Sequence, residues 1–262
     1  MKLKMIALAA VMAMSGAANA ALIDVGQSVG NGYNGSVIFS MWDGSSAYEL
    51  NLNTGVAGNS ISGINTFVSD IAAAGNSMTF AVDSMLTTWL STANTANLQW
   101  NVTAINQGNT IKQVLTSASV ATLPVALSNQ IAKGALNNAG GVYTQLNTYM
   151  SATVGEAVVP NTDTKGYAGI AVFGNNFGGA INFSNTAALG GSQLMAVMGT
   201  KTTGTALSTY AFDGITASVA NNGSLTLASV AAVPEADSLA MLLAGLGAVA
   251  TIVRRRRNGA AA

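Results

Sequence analysis

Any chemistry in this chain falls to carboxylates, hydroxyls, amides and a few lysines, because the sequence contains no histidine and no cysteine. That excludes an imidazole general base, a Ser-His-Asp relay, a thiolate nucleophile, a disulfide and any Cys- or His-based metal site. Glycoside hydrolysis would need two acids roughly 5 to 9.5 Å apart. Between Ala21 and Val233 the candidates are Asp24, Asp43, Glu49, Asp70, Asp83, Glu156, Asp163 and Asp213. Asp43 and Glu49 are the pair nearest in sequence that a short strand could also bring together, although solvated surface acids are the plainer reading. Asp163 or Asp213 in a loop could offer oxygens to calcium, but the EF-hand loop pattern is absent. Trp42, Trp89 and Trp100, with Tyr33 and Tyr48, could stack on sugar rings. Each tryptophan also stands where periodicity places a core residue. The glycine-rich stretch 174–179 lacks the P-loop lysine and the dinucleotide-binding spacing, and reads as a turn. No catalytic residue, metal ligand or cofactor is therefore assigned.

These residues sit in a chain of 262 residues with only 8% charged side chains, against about 25% in average proteins. The formal net charge of zero hides an uneven distribution. All four arginines form one run, Arg254 to Arg257, and Lys2 and Lys4 stand at the N-terminus. The middle holds four lysines, eight acids and no arginine, a charge of −4. Such a domain has no electrostatic footprint for nucleic acid.

Many short strands must position the candidates. Residues 36–42, 47–52 and 98–105 read as strands by alternation, with a turn at Asp43-Gly44 and a hairpin closed by 111–116. Helical spacing marks 64–74, 83–93, where Asp83 or Ser84 could cap, and 125–150, where Gly140-Gly141 suggests a break. Residues 154–165 read as irregular and 167–173 as a strand. Strands at 194–198, 209–212, 216–219 and 224–228 follow, with Asn221-Asn222-Gly223 as a hairpin turn. The expected fold is mainly β with several helices (α+β): an antiparallel β-sandwich-like ectodomain followed by a C-terminal transmembrane sorting helix.

The two ends are more specific. Lys2 and Lys4 precede an apolar stretch from Met5 to Met14 and the small residues Ala18-Asn19-Ala20, which reads as a secretory signal cut before Ala21. At the other end, Val233-Pro234-Glu235-Ala236-Asp237 leads into an apolar run from Ser238 to Val253 and then the arginines. At about 1.5 Å per residue the run would span roughly 24 Å as a helix. The positive-inside rule keeps Arg254, Arg255, Arg256 and Arg257 cytoplasmic, in agreement with the signal peptide.

A short motif, an apolar helix and an arginine cluster in this order at the terminus resemble the PEP-CTERM sorting signal. Val233, Pro234 and Glu235 match its Pro-Glu-Pro motif and the valine that usually precedes it, while Ala236 replaces the second proline. The resemblance implies recognition by an exosortase-type peptidase during transient residence in the inner membrane, cleavage near the motif, and release to the cell surface or medium of a bacterium that makes exopolysaccharide, biofilm or floc. The expected organisation is a signal peptide at 1–20, a β-rich extracytoplasmic domain at 21–232, the sorting signal at 233–257 and a short tail at 258–262. The expected role is a non-catalytic structural or exopolysaccharide-associated one. A carbohydrate-binding adhesin and a carboxylate-based hydrolase are the alternatives. Exopolysaccharide or further copies of the chain are the expected partners.

Overall fold

The computed structural model describes residues 34–107, 111–119, 129–150, 155–170, 177, 181, 183–201 and 209–229. Ala18, Ala20 and Ala21, expected to form a signal-peptide cleavage site, lie outside the described residues together with Tyr33. So do Val233 to Glu235, the apolar run 238–253 and Arg254 to Arg257.

Strand formation starts at a tight hairpin. β1 (Val37–Trp42) and β2 (Ser46–Asn51) pair antiparallel, Trp42 opposite Ala47. Asp43 makes the turn: its Oδ1 accepts from the Ser45 and Ser46 amides at 2.8 and 3.0 Å, and Gly44 supplies the left-handed backbone at φ +95°. An aspartate bonding the amides two and three residues on is a local substitute for a backbone turn. Further strands are β3 (Ser77–Phe80), β4 (Gln99–Asn106), β5 (Ile111–Ala118), β6 (Glu156–Pro160) and β7 (Ala187–Ala188). β8 (Ser192–Lys201), β9 (Thr209–Val219) and β10 (Leu225–Ser229) complete the set among the described residues. The helices are α1 (Phe67–Ala73), α2 (Ser84–Leu90) and α3 (Asn129–Tyr149).

The ten strands form one antiparallel sheet in the order β3-β10-β9-β8-β5-β4-β1-β2-β6, with β7 joined to β4. This corrects the expectation of a two-sheet sandwich. One core gathers Phe39, Tyr48, Leu50 and Trp100 from one half of the sheet with Ile215, Ala217, Leu225, Leu227, Met78 and Phe80 from the other, plus Phe67, Ile71, Leu86 and Trp89 of α1 and α2. The sheet therefore curls until its two halves share an interior. A curled sheet and a sandwich show the same in–out alternation along each strand, so periodicity does not distinguish them. The outer face carries a second core. There Ile38, Trp42, Ala47, Ile105, Val114 and Met198 meet Leu136, Ala139, Tyr143 and Leu146 of α3.

Four local expectations change. α3 runs unbroken through Gly140-Gly141, with the Gln107 amide packed over Gly140 and open space at Gly141. Residues 156–160, expected to be irregular, form edge strand β6. Tyr167 to Ile170, expected to start a strand, form turns. The two short strands expected at 209–219 are one strand with a bulge. Leu194 pairs Thr216 but Ala196 pairs Phe212, and Gly214 takes φ +78° in the extra backbone. Among the described residues no helix is long and apolar enough to cross a membrane.

Candidate functional site

The densest chemistry lies where α2, β2 and β6 meet. Asp83 caps α2, and its Oδ1 accepts from the Leu86 amide at 2.7 Å. Strand alternation turns Tyr48 of β2 toward the inner core, where it is fully buried. Glu156 starts β6, opposite Leu50 and two positions from Val158, the partner of Tyr48. The Tyr48 hydroxyl lies 2.7 Å from Asp83 Oδ2 and 2.9 Å from Glu156 Oε2. A phenol has one proton, so it donates to one carboxylate at a time. The other short contact needs a proton on a carboxyl group. Burial, and then the hydrogen bond with Asp83, push the Glu156 carboxyl up to about 7. Burial, reinforced by both acids, holds the Tyr48 phenol far above its ordinary range. Trp89 walls the junction, with ring centroids 6.4 Å apart from Tyr48 and its Nε1–H donated to Ser46 Oγ at 2.8 Å.

A second polar row crosses the outer face beneath α3. Glu49, Ser40 and Asn101 stand side by side on β2, β1 and β4, all fully buried. Ser40 Oγ donates to Glu49 Oε2, while Glu49 Oε1 and both amide atoms of Asn101 make no hydrogen bond. Burial drives the Glu49 carboxyl well above the usual glutamate range, against the hydrogen bonds from Ser40 and the Ala168 amide. Tyr143 of α3 donates to the Thr103 carbonyl at 2.9 Å, and burial raises its phenol strongly.

The candidates from sequence are thus redistributed. Asp43 and Glu49 do not form a pair. Asp43 serves its turn and the Asn94 amide at 2.9 Å, bonds that outweigh the effect of burial and hold it at about 2. Glu49 lies under α3, not on a solvated surface. Asp163 ties a loop to α3: Oδ1 accepts from the Lys165 and Gly166 amides, and Oδ2 from Gln145 and Tyr149. The Tyr149 bond leads in holding Asp163 below the ordinary range. Asp213 lies in the β9 bulge. Among the described residues no three acids gather to hold a metal ion. Trp42, Trp89 and Trp100 are 7%, 5% and 0% exposed, so all three pack in the core and none offers a sugar platform. Sequence reasoning counted Asp83 and Glu156 among the eight candidate acids, and Asp83 also as a cap, but paired neither with Tyr48, because residues 154–165 read as irregular. The β-branched pair Val158-Val159 was the signal for its strand.

Residues 232–257 match the family model of the PEP-CTERM protein-sorting motif. The chain carries a PEP-CTERM sorting signal. Val233, Pro234 and Glu235, the apolar run and Arg254 to Arg257 all fall inside the match. A PEP-CTERM signal makes the chain an exosortase-sorted protein exported through the membrane toward the cell surface. No curated protein and no solved structure matches the chain.

Proposed function

We propose that this PEP-CTERM chain is a non-catalytic structural protein of the extracellular matrix, acting in a biofilm or floc through exopolysaccharide or through its own copies. The signal peptide is cut before Ala21, the sorting signal near Pro234, and the domain between them is released. The observation that carries the reading is the sorting motif at 232–257. Two further observations support it. The carboxylates Asp43, Asp83, Glu156 and Asp163 are each engaged in bonds that hold elements together, and the domain between the signals has few charges for ionic recognition. Asn, Gln, Ser and Thr can bond polysaccharide hydroxyls or neighbouring copies without charge steering.

The test combines intact mass with binding. Protein from the medium should begin at Ala21 and end near Pro234, and the purified species should either co-sediment with the producing cells' exopolysaccharide or self-associate in the ultracentrifuge. A species that does neither refutes the matrix role. Turnover of a glycan that one Asp or Glu substitution abolishes would replace it with a hydrolase.

A further inference from the structure

We propose that the Asp83–Tyr48–Glu156 junction is a proton-operated latch, which fastens the start of α2 to edge strand β6 in acid and slackens as the surroundings become neutral. The geometry carries the inference. Partners 35 and 108 residues away in sequence converge on one phenol oxygen. With a proton on Glu156, every contact in the cluster is attractive. Without it, two carboxylates face one phenolic proton and repel each other across it.

Among the described residues of the packed elements no base can compensate. α2 carries no charged residue, β6 none besides Glu156, and β2 offers Tyr48 on this face and Glu49 on the other. Among the described residues Asp83 is the charged group that acts on Glu156. The elements joined are also the ones able to part. α2 is seven residues long and holds to the core through Leu86 and Trp89, and β6 is an edge strand paired to β2. Local opening draws on such short elements at a sheet margin.

The direction follows from the position of the proton. Closed, Glu156 titrates at about 7; in water a glutamate titrates near 4.5. Between those values opening releases one proton, so the open fraction rises up to about tenfold per pH unit, and it levels off above 7.

Hydrogen exchange read by mass spectrometry on the purified full chain tests this from pH 5 to 8.5, with rates corrected for intrinsic base catalysis. Amides of 84–90 and 156–160 should lose protection by up to about tenfold per unit to pH 7 and then hold steady, while β4 stays the more protected and follows the global unfolding free energy measured in urea at each pH. Glu156→Gln can donate to Asp83 and accept from Tyr48, so its profile should be flat. Asp83→Asn still caps α2 but removes the facing carboxylate and leaves the burial of Glu156, so its loss of protection should level off at a lower pH than the parent's, which decides the matter where the glutamine variant fails to fold. A flat wild-type profile, or folded variants whose profiles coincide with the parent's, overturns the latch.

Discussion

Replacing Glu49 by glutamine should make the protein progressively more stable than the parent as pH rises. Glu49 is fully buried beneath α3, and one of its oxygens has no partner. An ionised carboxylate there is opposed by desolvation, so the folded chain keeps a proton that the unfolded chain releases near 4.5. The stability contributed by the neutral carboxyl is complete below that value and is lost as pH climbs through the raised folded value. While Glu49 stays protonated in the fold, each pH unit above 4.5 costs the parent about 1.4 kcal/mol of unfolding free energy. Glutamine has the same shape and no proton to lose. At pH 4.5 the two proteins should agree within about 1 kcal/mol, the scale of one rearranged buried hydrogen bond. Urea unfolding at half-unit steps from pH 4.5 to 8 gives the difference directly, and Glu156 cancels because it titrates in both proteins. Parallel stability curves would show that Glu49 is ionised in the fold, and the assignment of a buried neutral acid would be wrong.

Trp100→Ala should cost about 3 to 5 kcal/mol in urea unfolding, since the indole is fully buried, bonds the Ala188 carbonyl and packs 6.5 Å from Phe39; a stable variant that loses only glycan binding would restore the sugar-platform reading. Gly141→Ala, with open space around it, should gain up to about 1 kcal/mol of helix propensity, whereas Gly140→Ala must displace the Gln107 amide that donates to the Leu136 carbonyl and should gain less. A melting temperature of the Gly140 variant equal to or above that of the Gly141 variant would contradict the contact with Gln107. Asp163→Asn should loosen the loop it anchors and weaken the contact to Tyr149, seen as faster proteolysis after Lys165 at neutral pH; a cleavage rate equal to the parent's counts against that anchor.

How much was legible depended on whether the signal was local. The sorting motif could be read because three features stand in fixed order within one segment. β1, β2 and β4 could be read because Val37, Phe39 and Met41, or Trp100 and Val102, alternate strictly with residues on the other face. Asp83 could be read as a cap because capping is a bond across three residues. The site itself could not. Its three groups come from positions 48, 83 and 156, and only the order of strands in the sheet places β6 beside β2. The curl of the sheet was hidden for the same reason. β3, four residues long with two exposed side chains, carries too little periodicity to announce itself.

β2 shows how closely the two polar arrangements are specified. Tyr48 and Glu49 are neighbours, and a pleated strand sends neighbours to opposite faces. The phenol reaches Asp83 and Glu156 on the inner face; the carboxyl reaches Ser40 on the outer. A slip of one residue would exchange them. Glu49 would then join two other acids with no base in reach, and Tyr48 would face Ser40 across the outer row without its two acceptors. An acid displaced by such a slip loses the Ser40 hydroxyl and gains no base, and a buried carboxyl without a partner is costly even when neutral. The register of β1, β2 and β6 is thereby set by where acids can tolerate burial as well as by hydrophobic alternation.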